Sequence, residues 1–376
     1  MGVSSILAFF TSETIRQIPK WSFLFHEKPH KITYMQNQTR RSFVRNVTLG
    51  GFAVSFTPTL SAIDKNDPNR FQIGIQEYTF HRWIGRKLDH LDYPALCKEK
   101  LGITHIEYWN RPFGGKHTDK KYVGELAKRT TGEGMKNVLI LVDAKNQLDA
   151  KDKAQRDRAV DEHKGWIDCA AQLGCDAIRV NCRSGGNPDE NVQNAKDGVG
   201  RLCDYAKDSK VKVVIEPHGG NSQNPDWLLK AMDALDHPNA GILPDFNNFG
   251  RYDRYDGVTK SLPYAPAVCA KALKFDDKGN ETKTDYYRML RIIHASDFSG
   301  VITIEFEGGG IDPVEGALMT KKLLLKAIKA ASTKAEKVHG FPAQKLQDAS
   351  TRITELEQQR TDAHRERAIG ELDQVL

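Results

Sequence analysis

Residues 211–220 read VKVVIEPHGG. Val211, Val213, Val214 and Ile215 form an apolar run that ends abruptly in Glu216, Pro217, His218 and two glycines. A short apolar run is what a parallel strand buried on both faces looks like. Ending it in a carboxylate and an imidazole suits a strand whose last side chains face the mouth of a barrel. Three later stretches repeat the pattern. AGILPDFNNFG (240–250) places Asp245 at a strand end, APAVCAKALKF (265–275) places Cys269 and Lys271, and GVITIEFEGGG (300–310) places Glu305.

The pattern extends upstream. Candidate strands are 71–76, 103–108, 136–142, 176–181, 212–216, 241–245, 267–271 and 301–305. Helix-like segments lie near 91–101, 118–132, 152–173, 188–209, 224–236, 283–296 and 313–331. The Leu-Gly pairs at 101–102 and 173–174 read as helix stops, with glycine in the left-handed region. Asn224 followed by Pro225 reads as a helix start, with asparagine as cap and proline in the first turn. Eight strands, each followed by a helix or a long loop, within about 260 residues are the size of a (β/α)8 TIM barrel. An open doubly wound sheet is disfavoured, because EYTFHRW (77–83) after the first strand has no glycine fingerprint.

The flanks differ from residues 71–331. Residues 1–34 have no clear period, and Met35 is read as the true start, with 1–34 a mis-called extension. TRRSFVR (39–45) resembles the twin-arginine export motif, and a mildly apolar stretch, 47–60, leads to the small-residue site Leu60-Ser61-Ala62. Residues 35–62 are thus expected to be a signal peptide and the mature protein to be periplasmic. Residues 332–376 are polar, with Leu346, Ala349, Ile353 and Leu356 at helical spacing. They read either as an appended helix, beyond Pro342, or as a solvated tail.

Composition narrows the function. The formal charge is +6, but residues 1–46 carry seven basic side chains against Glu13 and Glu27, which leaves the remainder near neutral. A nucleic-acid binder would carry its basic excess on the folded face, so nucleic acid is not the expected partner. No apolar run reaches the ~18 residues of a membrane span, so no stable membrane insertion is expected once the signal is removed. The six cysteines form no CxxC pair. Cys175 and Cys182 bracket one strand and lie too far apart for a disulfide, so free, mostly buried thiols are expected. Assembly with copies of the same chain is left open.

Three carboxylates, Glu216, Asp245 and Glu305, at neighbouring strand ends would repel one another and raise each other's pKa. A shared divalent cation removes that penalty, and oxygen ligands favour Mn²⁺ or Mg²⁺, with Zn²⁺ admitted if a nitrogen joins. On VVIEPHGG, GILPDFNNFG, AVCAKALKFDDKGNE and VITIEFEGG together, residues 71–331 resemble the xylose-isomerase-like sugar phosphate isomerase/epimerase family. The resemblance implies a metal held by Glu216, Asp245, the strand-seven position and Glu305. At that strand-seven position the family's usual histidine is replaced by Cys269. Either Cys269 ligates as a thiolate, which softens the site toward zinc, or it is a small core residue and His218 leans in instead.

The resemblance also implies the chemistry: proton transfer at a carbon next to a carbonyl, through an enediolate. Glu216 and Glu305 are then the acid and base. Lys271 is either the cation at the oxyanion or a lysine that neutralises Asp245. Substrate-binding candidates are His218, Asn181, Arg179, Trp109 and Glu107. Arg179 could bind a phosphate or pair with Glu216, Trp109 offers a flat face to sugar C–H groups, and Tyr78 and His81 lie just past the first strand. The expected partner is a small sugar. The same site could instead drive β-elimination from an oxidised glycoside, or serve a sugar-binding barrel without catalysis. A DNA-repair endonuclease on the same fold would need more His and Asp ligands and a basic groove.

Overall fold

The computed structural model describes Asp64, Asp67 and residues 70–339. The expected extension, signal peptide and all but the first eight residues of the expected tail lie outside the described residues. Eight parallel strands form one sheet: β1 (Phe71–Gln76), β2 (His105–Trp109), β3 (Lys136–Leu141), β4 (Ala177–Asn181), β5 (Lys212–Glu216), β6 (Ala240–Ile242), β7 (Ala267–Ala272) and β8 (Gly300–Phe306). Their order is β6-β5-β4-β3-β2-β1-β8-β7. The two edges meet through a parallel bridge between Asp245 and Cys269, which closes a TIM barrel. At the seam the Cys269 N–H donates to the Pro244 carbonyl (2.9 Å) and the Phe246 N–H donates to the Cys269 carbonyl (3.0 Å). β6 stops early because Pro244 has no N–H to continue the ladder.

A helix follows each strand: α1 (Tyr93–Leu96), α2 (Lys120–Gly132), α3 (Lys153–Leu173), α4 (Pro188–Ala206), α5 (Pro225–Leu235), α6 (Arg254–Ser261), α7 (Tyr286–Ala295) and α8 (Pro313–His339). Local sequence explains their ends. Asn224 caps α5 by accepting from the Asp226 N–H, with Pro225 in the first turn. Gly102 and Gly174 end their helical segments at φ 57° and 74°. Three expectations change. The 91–101 segment is not one α-helix: α1 gives way to a π-turn, Cys97–Leu101. α6 appears where no helix was expected. α8 runs past 331 to His339.

Strand alternation sorts the side chains. Ile178, Val180, Val213, Ile215, Val268, Ala270, Ile302 and Ile304 point outward and pack in the main core under the helices. Ala177, Val214, Ala267 and Val301 point inward and join Val138, Leu139, Leu141 and Leu243 in a smaller cluster. Gly74 permits tight packing there: a Cβ on it would lie 2.7 Å from Thr303 Cγ2 and 2.8 Å from Val301 Cγ1. Two residues further along each strand, the same inward register carries Arg179, Glu216, Cys269 and Thr303. Two further on it carries Asn181, Lys271 and Glu305. Period two thus brings the polar residues onto the barrel axis, above an apolar floor.

Candidate active site

Lys271 is the hub. Its Nζ lies 2.7 Å from Glu307 Oε1, 3.0 Å from Glu305 Oε2 and 3.6 Å from Asp245 Oδ2. The side chain is buried. Burial works against its charge, but Asp245, Glu305 and Glu307 together lift its pKa above the ordinary lysine value. Asp245 uses its other oxygen locally: Oδ1 accepts from the N–H groups of Asn247 (2.6 Å) and Asn248 (3.0 Å). Burial raises the Asp245 carboxyl, Lys271 pulls it back in part, and the charges of Glu305 and Glu216 raise it again. The Cys269 thiol donates to Glu305 Oε2 at 3.2 Å, and burial pushes its pKa well up.

Glu216 has separate partners. Its Oε2 pairs with Arg179 Nε at 2.9 Å, and its Oε1 accepts from Asn248 Nδ2 at 3.0 Å. Arg179 also reaches Asp143, just past β3, with Nη1 2.8 Å from Oδ1. Asp143 further accepts from Asn181 Nδ2 (2.9 Å) and Trp109 Nε1 (3.0 Å), with Arg183 at 3.4 Å. Burial alone would raise the Asp143 carboxyl, but Arg179, Trp109 and Arg183 hold it well below the usual range.

The remaining candidates lie around this cluster. Glu107 is fully buried on β2, beside Gln76 and Thr303, and burial pushes its carboxyl up to about 8, with Glu305 and Glu216 adding to the rise. His218 is partly buried past β5, and burial, then Arg179, Arg183 and Lys271, lower its pKa to about 3, so it is neutral. Gly220 fits its loop because of its φ of +57° and its contact with Arg183: a Cβ there would lie 2.3 Å from the Arg183 carbonyl oxygen. Tyr78 stacks on His81 (4.6 Å between centroids) and meets Trp109 edge-on (4.9 Å). Burial and the charges of Glu307 and Glu305 raise the Tyr78 pKa.

Four polar residues of the site were not singled out in the sequence. Asp143 ends the apolar run VLILV as Glu216 ends VVI, so the same reading would have found it. Glu307 stands two residues after Glu305 and so on the same face. Asn248 and Arg183 lie in loops and carry no periodic signal.

Among the described residues, Asp245, Cys269 and Glu305 form a group that could hold a metal, their ligand atoms all lying within 4.8 Å of one another. Glu216, expected as a fourth ligand, is not in that group and is engaged by Arg179 and Asn248. The ligand atoms are gathered, but a positive charge already stands among them. The oxygens nearest Lys271 Nζ on Asp245 and Glu305 are Oδ2 and Oε2. A dication about 4 Å from that ammonium would meet a repulsion of about 8 kcal/mol at an effective dielectric of about 20, to be set against its attraction to the two carboxylates that Lys271 already neutralises. The third donor is a thiol already spending its proton on Glu305. In this arrangement the donor set does not fit a resident divalent ion.

A family model described as xylose isomerase-like TIM barrel matches residues 95–327. No curated protein sequence matches the chain. Among solved structures, one titled L-ribulose 3-epimerase is 16% identical, covering 72% of this chain and 99% of its own, with a TM-score of 0.60. A 3-keto-D-glucoside 4-epimerase from E. coli is 14% identical, covering 68% of this chain and 99% of its own, with a TM-score of 0.56. The IOLI protein with a binding zinc atom is 15% identical, covering 68% and 98%, with a TM-score of 0.57. At these identities the likeness carries the fold alone.

Proposed function

The chain belongs to the xylose isomerase-like TIM barrel family, and from that premise we propose that it is a sugar isomerase or epimerase that moves a proton on the carbon next to a carbonyl. The observation that carries this reading is Lys271 Nζ, 3.0 Å from Glu305 and 3.6 Å from Asp245 in a buried charge cluster in which Glu216 also bears on Asp245. One carboxylate of the pair Glu216 and Glu305 takes the proton from the C–H bond. The electron pair moves into the carbonyl and yields an enediolate. Lys271 meets the developing oxyanion, a role in which one well-placed donor is typically worth 10²–10³ in rate. The other carboxylate returns a proton to the same carbon or to its neighbour.

Arg179 and Asn248 orient Glu216, while Glu307 and the Cys269 thiol fix the Lys271–Glu305 pair. Neutral His218 and Asn181 suit sugar hydroxyls, and Trp109 with Tyr78 suits the C–H face. The oxygen-rich strand ends pointed to Mn²⁺ or Mg²⁺, with Zn²⁺ admitted if a nitrogen joined, and the family resemblance pointed to the residues that would hold it. Because the donor set does not fit such an ion, the side chains themselves carry each step. The twin-arginine stretch favours a periplasmic enzyme and an unphosphorylated sugar, and the structural likeness to a 3-keto-D-glucoside epimerase adds keto-glycosides to the substrates worth testing.

The test is exchange of solvent deuterium into a panel of ketoses and keto-glycosides, followed by NMR. Exchange at the carbon beside the carbonyl, lost in both Glu216→Gln and Glu305→Gln, is expected. A folded protein that exchanges no hydrogen of any of them would overturn the proposal. Loss of a β-substituent after exchange would convert it to the lyase reading.

A further inference from the structure

We infer that Lys271 itself supplies the positive charge around which this site works, and that the protein holds no resident divalent ion. The inference rests on the preceding reading for its chemistry but not for its geometry. Lys271 is pinned from two sides, by Glu307 at 2.7 Å and Glu305 at 3.0 Å, with Asp245 at 3.6 Å on a third. Each residue that a metal would need has another commitment, while Asp245 Oδ2, buried and without a hydrogen bond, faces the Lys271 ammonium at 3.6 Å. Asp245 Oδ1 holds two backbone N–H groups, Glu216 holds Arg179 and Asn248, and Glu305 Oε2 holds both the ammonium and the Cys269 thiol.

The backbone at position 269 is held in place, because its own N–H and carbonyl make the hydrogen bonds that close the barrel. Glu307 adds the decisive asymmetry. It lies outside the ligand group, yet it makes the shortest contact of all with Lys271, which makes it a positioning residue for the lysine. An ammonium has three N–H donors. One is matched by a hydrogen bond, to Glu307 at 2.7 Å; the 3.0 Å contact with Glu305 is an ion pair, and 3.6 Å to Asp245 is longer than a hydrogen bond. A donor is therefore left for a substrate oxygen. When the C–H bond breaks, its proton goes to a carboxylate and its electron pair reaches the carbonyl oxygen, which that donor meets; no co-reactant is required.

The experiment uses the full chain, purified after growth in medium supplemented with manganese and zinc. Metal content is measured directly, thermal melting is followed with and without EDTA, and deuterium exchange into the sugar panel is followed in EDTA. Well under one ion per chain, an unchanged melting temperature and exchange within about twofold of the untreated rate are expected. Cys269→Ser should change none of the metal readings. Lys271→Met should lower exchange by about 10²-fold or more, with no rescue by added Mn²⁺ or Zn²⁺. One ion per chain in the unmodified protein, stripped by EDTA with a fall in melting temperature, overturns the inference whether or not Lys271→Met folds. Absence of both metal and exchange would leave it standing and sink the isomerase reading instead.

Discussion

Asp245 and Cys269 face each other as bridge partners across the seam where the barrel closes. The residues that shut the sheet are thus the residues that meet Lys271 and Glu305. Closure and site assembly are one event at this seam.

That relationship predicts the effect of removing the aspartate. Asp245→Ala loses two hydrogen bonds from Oδ1 to the turn at Asn247 and Asn248. A loss of about 3–6 kcal/mol is expected, since hydrogen bonds to charged groups are worth about 1.5–3 kcal/mol each. Asp245→Asn keeps an acceptor and should retain most of that stability. Urea midpoints check this; equal losses in both variants would mean that the turn is not what Asp245 supports.

Arg179 spans two carboxylates, Glu216 at 2.9 Å through Nε and Asp143 at 2.8 Å through Nη1. Arg179→Met strands both and should cost about 3–5 kcal/mol. Arg179→Lys should recover little, because a single ammonium cannot reproduce the fork. Chemical denaturation that finds the lysine variant close to the parent would disprove the two-sided role.

Glu107 predicts a pH dependence of stability. Burial raises its folded pKa from 4.5 to about 8. Between those values the folded state keeps a proton that the unfolded state has released. Its contribution is full below about pH 4.5 and is lost as pH rises toward 8, by up to about 1.4 kcal/mol per unit. Unfolding free energies at pH 5 and pH 8 for the parent and Glu107→Gln check it. The glutamine variant should lose this slope; parallel curves for the two proteins would refute the assignment.

All six cysteines are buried and unpaired. A thiol reagent should find almost no fast-reacting group in the native protein and six in denaturant. A fast native reaction at any one of them would contradict the packing.

The strands were legible because parallel strands buried on both faces must be nearly continuous apolar runs, and VVI, VLILV and VITI can satisfy little else. α6 was not legible. RYDGVTKS (254–261) offers Val258 as its one aliphatic residue and a glycine at 257, so it has almost no periodicity; its best signal is the cap at Asp253, whose side chain accepts from the Tyr255 N–H at 2.8 Å. Asp143 was legible and passed over, since it ends its apolar run as Glu216 does.

By itself the sequence determined which runs become strands and, through their period of two, which side chains face the axis. That information is local, carried by each residue's neighbours along the chain. Only the tertiary structure decided how the inward charges pair. Lys271 goes to Glu307 and Glu305 more closely than to Asp245, and Arg179 joins Asp143 to Glu216. Charge pairing is set by differences of under an ångström between groups on different strands. The register of the sheet and the closing of its last seam set those distances, and no single stretch of sequence contains them.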